Sequence, residues 1–226
     1  MGGPSLSHPR KTQREPRLTQ RNYLIQASLV RRLKGVIHRH LSGKANLLIL
    51  DCGCGDKPYY PFFEGISRLY VGVDRRRGEY VDVIGDVQQL PFRDDLFDVV
   101  VCTQVIEHIP HPQTLVNEIH RVLKCGGLLI LSTHGVWPVH AAPNDFWRWT
   151  DFGLRRLLEG FSLVRVYECG GNIATFFQIA NLYMPSIPHL RPLLSAILNK
   201  LGEYLDQKFR GRAAQLIMNY LAVAEK

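Results

Sequence analysis

The run Leu47-Leu-Ile-Leu-Asp51-Cys-Gly53-Cys-Gly55-Asp56-Lys57 constrains the fold of this chain more than any other stretch. Four consecutive apolar residues read as a buried strand. An acid ends it, and two glycines at alternate positions let the backbone turn sharply and come close to a ligand. In open α/β sheets ligands bind beyond the carboxyl ends of strands, so a cofactor is expected here. A dinucleotide pyrophosphate would require G-x-G-x-x-G opening directly onto a helix N-terminus. Instead an acid precedes the first glycine, Asp56 follows the second, and Pro58 and Pro61 crowd the next turn. Such a loop suits a cationic ligand better than a phosphate.

Downstream, strand-like and helix-like segments alternate. Strands are expected at Leu69–Val73, Val81–Ile84, Phe97–Cys102, Leu128–Leu131, Phe161–Tyr167 and Gln215–Ala224, and a short helical turn near Tyr59–Glu64. Pro112 to Lys124 reads as a helix with Pro in its first turn and Gly126-Gly127 as its stop. Thr150 caps a helix through Leu158, and two further helical stretches cover about Asn172–Tyr183 and Leu190–Phe209. Strands alternating with helices imply βαβ units and a doubly wound, Rossmann-like, mostly parallel α/β sheet. A length of 226 residues fits one domain with appendages. The expected organisation is a disordered basic tail over 1–18 and a single domain over 19–226. Within it fall an N-terminal helix (19–44), a cofactor-binding core (45–170), a helical insertion (171–212) and a final strand (213–226).

Charge is unevenly spread. Ten of the 28 Lys and Arg, and one of the 20 Asp and Glu, lie in residues 1–46. The rest of the chain is near neutral, so the basic field belongs to the N-terminal segment. Between Thr19 and Leu41, apolar Leu24, Ile25, Leu29, Leu33, Val36 and Leu41 recur at helical spacing with Arg31, Arg32, Lys34 and Arg39 between them. This predicts a basic amphipathic helix on the edge of the domain, suited to an anionic surface or simply to solvent. The apolar runs are too short to span a bilayer, and Met1-Gly-Gly-Pro-Ser has no signal-peptide core. The five cysteines form no zinc pattern; four sit in or beside apolar strand-like runs and read as small apolar residues, and a reducing compartment is expected. No metal site is expected. The expected location is the cytoplasm, with peripheral membrane contact left open.

Three acids stand at strand ends in order, Asp51, Asp74 and Asp86. With Leu50-Asp-Cys-Gly-Cys-Gly55, Val73-Asp74, Gly85-Asp86-x-x-x-Leu-Pro-Phe92, the Glu107-His108 segment and Arg121-Val-Leu-Lys-Cys-Gly-Gly-Leu128, the chain resembles the class I S-adenosylmethionine-dependent methyltransferases, particularly the small-molecule group called type 11. The likeness covers about residues 45–170. It implies a seven-stranded sheet with the last strand antiparallel and S-adenosylmethionine as cofactor. Asp51, Gly53 and Gly55 would hold the methionine end and Asp74 the ribose diol. Asp86 would take the adenine amino group with Val87 beside the ring, and Thr103 and Gln104 would lie under the methyl donor. Two positions depart from the pattern. Lys57 stands where many members carry a third glycine, free to reach substrate or solvent, and Cys125 replaces the usual Pro before Gly-Gly.

The segment Ser132–Thr150 leaves the fifth strand at the cofactor edge with two His, one Asp, one Arg and all three Trp of the chain, and reads as an acceptor-binding wall. An alcohol or amine acceptor must lose a proton, and neutral His is the natural base near pH 7. The candidates are His140 with Asp145, then His134 or His108. The expected partner is a small-molecule acceptor at oxygen or nitrogen, such as a glycan, lipid or natural-product precursor. Two alternatives stand beside it. One is a noncatalytic scaffold that keeps the fold. The other is a nucleic-acid methyltransferase using the basic N-terminus, which is disfavoured because no Asn/Asp-Pro-Pro-Tyr/Phe motif follows the fourth strand. The apolar insertion 171–212 could be a lid, a dimer face, a membrane-surface patch or a helical layer over the sheet edge.

Overall fold

The computed structural model describes residues 11–185, 187–209 and 216–226. Residues 1–10 of the expected tail and 213–215 of the expected final strand lie outside them. In chain order the elements are α1 (Lys11–Arg14), α2 (Tyr23–Leu41), β1 (Leu47–Cys52), a 3-10 turn (Tyr60–Phe62), β2 (Ser67–Asp74), β3 (Val83–Ile84) and β4 (Phe97–Thr103). There follow a 3-10 turn (Ile106–His108), α3 (Pro112–Val122), β5 (Leu123–His134), α4 (Asp151–Leu157), β6 (Leu163–Cys169), α5 (Asn172–Tyr183), α6 (Arg191–Lys208) and β7 (Asn219–Glu225). Lys11–Arg14 is thus a helical turn where disorder is expected from the sequence.

The seven strands form one sheet in the order β3-β2-β1-β4-β5-β7-β6. β1, β2, β3, β4 and β5 run parallel, and β7 inserts antiparallel between β5 and β6. Chain direction reverses between β1, whose crossover leads outward to β2, and β4 on its other side. That switch point opens a crevice at the carboxyl edge of the sheet.

Pleat alternation divides the core. Leu50, Val100, Leu129, Leu131 and Ala222 face α3 and α4. Ile49, Val99, Val101, Ile130 and Val223 face α2 and the Tyr59–Phe63 turn. Leu29, Leu33, Val36 and Leu41 of α2 are buried against that second face, each worth on the order of 1.5–3 kcal/mol. The basic helix therefore lies over this face of the sheet, meeting chiefly β7 and the edge strand β6. Its stripe is wide enough to cover several strands, and Arg31, Arg32, Lys34 and Arg39 remain exposed on its back. α3 ends two residues earlier than expected because Leu123 already pairs with Phe97 of β4 as the start of β5. Thr150 caps α4 as expected, its Oγ1 accepting from the Gly153 amide at 3.1 Å. α5 and α6 pack on each other and against the N-terminal half of α2, through Ala174 and Phe177 with Leu24 and Ile25.

Candidate active site

The turn after β1 is built by main chain. The Gly53 and Cys54 amides both donate to the Val73 carbonyl of β2, at 2.8 and 3.1 Å. Gly53 has φ +70° and a Cβ there would overlap the Val105 side chain, so both conformation and space demand glycine. Asp74, at the end of β2, grips the same turn. Its Oδ2 accepts from the Gly55 amide (3.1 Å) and its Oδ1 from the Arg76 amide (3.0 Å). Arg75, Arg76 and Arg77 are all exposed.

Beneath the turn lies Asp51, only 4% exposed. Tyr70 on β2 donates its hydroxyl to Asp51 Oδ2 at 2.7 Å. Burial pushes the Asp51 carboxyl up to about 7, against the pull of the Tyr70 bond and of the Lys57 charge. Lys57 does not reach substrate or solvent as its exposed-loop position suggests. It turns inward, 9% exposed, and pairs with Asp82, whose Oδ2 also accepts from the Gly72 amide at 2.6 Å. The position where a third glycine is usual here ties β2 to the strand-end turn.

The crevice beyond these strand ends is a cleft of about 450 Å³, within the range of small-molecule sites, roughly 300–1,000 Å³. Gly53, Gly55, Thr103, Gln104, His134 and His140 line it, so six of the residues expected from the sequence share one cavity. Gln13 and the α2 segment with Asn22, Ile25 and Gln26 roof it, and Asn219 of β7 closes its far side. Gln104 sits at φ +57°, a conformation non-glycine residues seldom adopt. Its Nε2 donates to Ser132 Oγ and Asn219 Oδ1, each at 3.0 Å. Asp74 borders the cleft through the turn it grips. Asp86 is exposed beyond β3, its Oδ1 accepting from the Gln88 amide at 2.9 Å, and Val87 is buried in the core cluster.

The donor set fits S-adenosylmethionine, which presents an ammonium, a sulfonium, a carboxylate and a diol but no phosphate. No lysine or arginine lines the cleft among the described residues, whereas Asp56 does, and Asp51 is buried beneath the turn that borders it. Gln104 Oε1 and Asn219 Nδ2 are shielded from solvent without a hydrogen-bond partner, one acceptor and one donor, as an amino-acid zwitterion requires.

Over the open side lies the loop 135–150. Arg148 is its hub. Its two terminal nitrogens clasp Asp145, each at 2.7 Å, while Nε and Nη2 donate to the carbonyls of Trp137 and Pro138, each at 2.8 Å. The clasp holds the Asp145 carboxyl far below the usual range. Asp145 Oδ2 also accepts from the His140 amide (3.0 Å) and stands 3.3 Å from His140 Nδ1, so the pair expected from the sequence is in contact. His108 bonds the Asn144 carbonyl through Nδ1 at 2.7 Å, and burial lowers its pKa. Burial pushes His134 down to about 3, its ring stacked on Trp137 at 5.0 Å. Of the three tryptophans only Trp137 lines the cleft. Trp147 donates its indole N–H to the Ile109 carbonyl (2.9 Å) and packs with Trp149, so these two anchor the loop instead of forming a wall.

Residues to which the sequence assigns no role are Tyr70, the roof of Gln13, Asn22 and Gln26, and Glu107, which its motif includes without a role. Glu107 is fully buried, with Oε2 accepting from Thr133 Oγ1 at 2.9 Å, and burial raises its carboxyl to about 7. Its neighbour His108 was legible as a candidate, but nothing in the sequence shows that Glu107 turns inward.

Residues 50–131, the segment holding the glycine turn, all three strand-end acids and β4–β5, match the family model described as "Methyltransferase domain". By that match the segment is a methyltransferase domain, and with its relatives it is similar to the class I S-adenosylmethionine-dependent methyltransferases. A probable S-adenosylmethionine-dependent methyltransferase of Mycolicibacterium smegmatis is 33% identical over 129 residues, 52% of this chain and 48% of that protein. The chain spans less than half the length of this and other curated relatives it matches. Two solved structures share the fold of the methyltransferase domain. The [4+2]-cyclase SpnF has TM-score 0.59 and 16% identity, covering 98% of this chain and 88% of its own. The Burkholderia thailandensis 1,6-didemethyltoxoflavin-N1-methyltransferase, solved with 1,6-didemethyltoxoflavin and S-adenosylhomocysteine, has TM-score 0.55 and 20% identity over 91% and 79% of the two chains.

Proposed function

We propose that this chain methylates an oxygen or nitrogen of a small molecule bound between the glycine turn and the 135–150 loop. The observation that carries the reading is the single cleft joining Gly53, Gly55, Thr103 and Gln104 to His134 and His140. When bound, S-adenosylmethionine supplies an electrophilic methyl group. The chain's own part is to hold, align and exclude water. Asp51 and the amides of the turn hold the methionine end, Asp74 takes the ribose diol, and Asp86 with Val87 takes the adenine. Thr103 and Gln104 lie beneath the reacting carbon. An acceptor hydroxyl or amine enters against Trp137 and gives up its proton to the histidine cluster, where His140 is best placed because Asp145 orients its Nδ1. A cleft lined by no lysine or arginine among the described residues, with the basic residues of α2 on the opposite side of that helix, favours a small acceptor over a nucleic acid.

Asp74→Ala removes a charge-assisted diol contact and the Gly55 anchor. Donor affinity then falls at least tenfold, on the order of 1.5–3 kcal/mol. Calorimetric titration with S-adenosylhomocysteine measures it, and unchanged affinity refutes the assignment. Transfer of a labelled methyl group to an acceptor pool tests the activity. Tight donor binding with no transfer to any acceptor would turn the reading toward a scaffold.

A further inference from the structure

Glu107 poses a question that the methyl-donor site does not answer. It is 0% exposed, its Oε2 takes the Thr133 hydroxyl, and its Oε1 has no hydrogen-bond partner. The nearby guanidinium of Arg148 is already matched by the two-point clasp of Asp145. A buried carboxylate oxygen without a partner is costly, and such groups are ordinarily paired or bound to metal. Facing Oε1 at 3.6 Å is His134 Nε2. One ring nitrogen of His140 completes a set of three donor atoms, all within 4.8 Å of one another. Donors held by one ion at about 2.0–2.2 Å stand roughly 3.0–3.5 Å apart, so the Glu107–His134 separation already suits a shared ion and His140, on the rim, has only to swing inward.

We propose that Glu107, His134 and His140 form a site for one first-row divalent cation beside the methyl-donor pocket. Two imidazoles and a carboxylate suit such ions, and their open positions would be filled by water or substrate. His134 and His140 both line the cleft, so the open positions face the acceptor side and Glu107 anchors the ion from below. An acceptor with a hydroxyl, enol or carboxylate oxygen would bind there as a ligand. Coordination would fix its direction of approach and lower its pKa, the proton leaving to solvent. In this arrangement His140 acts through the ion and not as a free base. The inference rests on the methyl-transfer reading for its purpose but not for its test.

The test uses the full chain, stripped with chelator and titrated with Co²⁺ or Mn²⁺. Visible absorption of the cobalt form, or loss of the free manganese resonance signal, reports binding, and S-adenosylhomocysteine titration in parallel reports the donor pocket. The expected result is one ion per chain, with affinity falling at least tenfold in Glu107→Gln and in His140→Ala while S-adenosylhomocysteine still binds. Glu107→Gln keeps the shape and a partner for Thr133. His140→Ala, on the exposed rim, does not burden folding. Absence of ion binding by the wild-type chain, or equal binding by both variants, overturns the site. If that occurs with donor binding intact, the methyl-transfer reading survives. Loss of donor binding with the ion still bound would sink that reading and spare the site.

Discussion

Asp51 lies one residue before the end of β1 and accepts from the Tyr70 hydroxyl, and burial raises its pKa from 3.8 to about 7. The folded chain therefore keeps a proton there that the unfolded chain releases near pH 4. Stability from this group is greatest at the acid end of that window and is lost as pH rises from about 4 through 7, by up to about 4 kcal/mol. Asp51→Asn keeps the Tyr70 bond and removes the titration. Its melting temperature relative to wild type should climb between pH 5 and pH 8, and parallel profiles would show that Asp51 is ionised throughout. At pH 8 the variant should bind S-adenosylhomocysteine less tightly if Asp51 faces the ligand's ammonium as proposed, since that charge would be gone. Binding should release a proton near pH 7 in the wild type, visible as a buffer-dependent enthalpy. Asp51 could be picked out in the sequence because an acid closing an apolar run stands out. Tyr70 could not, since only strand pairing brings it alongside.

The α5–α6 hairpin carries its polar side inward. Gln178, Asn181, Ser195 and Asn199 are buried, while Leu193, Ile197 and Tyr204 are 58%, 54% and 58% exposed. Asn199 Nδ2 donates to the carbonyls of Leu18 (2.7 Å) and Gln20 (2.8 Å), and Gln178 accepts from the Ile25 amide (3.1 Å) and donates to the Arg21 carbonyl (2.7 Å). The buried amides thus serve the loop between α1 and α2, whose main chain has no secondary structure to satisfy it. Asn199→Ala removes the partner of the Leu18 carbonyl and of the Asn181 amide and leaves the Gln20 carbonyl only the Tyr23 amide. It should cost about 2–4 kcal/mol, a fall in melting temperature of roughly 5–12 °C. Ile197→Ser, two residues earlier on the outer face, should change stability by less than about 0.5 kcal/mol in a dilute melt. Equal losses in both variants would mean that the apolar side is the buried one. Helical spacing reveals the two helices, but apolar periodicity points to the wrong face as the core side, because a buried amide network cannot be told from a solvated one in sequence.

Across the whole molecule, the cleft is assembled from Gln13, the start of α2, the β1 turn, the end of β4, the 134–140 loop and the first residue of β7. A donor bound there, as proposed, would touch both the sheet edge and the helix laid over its face, and its binding should stabilise them as one unit. At a hundredfold excess over Kd, S-adenosylhomocysteine should add about 2.7 kcal/mol, raising the melting temperature by roughly 5–11 °C in a single transition. A shift confined to part of the unfolding curve would show that the roof and the sheet unfold separately. Among the described residues no helix is long and apolar enough to cross a membrane.

Local chemistry was enough to reveal the strand order's ingredients, the glycine turn, the acids at strand ends, the Thr150 cap and the His140–Asp145 pair. Each depends on residues adjacent in sequence or on a motif whose spacing is set by the backbone. Tertiary packing alone placed α2 across the face of the sheet, turned Lys57 inward to Asp82, left one tryptophan of three in the cleft and brought buried Glu107 against His134. Those outcomes turn on which side chains meet across strands and loops far apart in the chain. Such meetings are decided by the competition for buried hydrogen-bond partners after the sheet has formed.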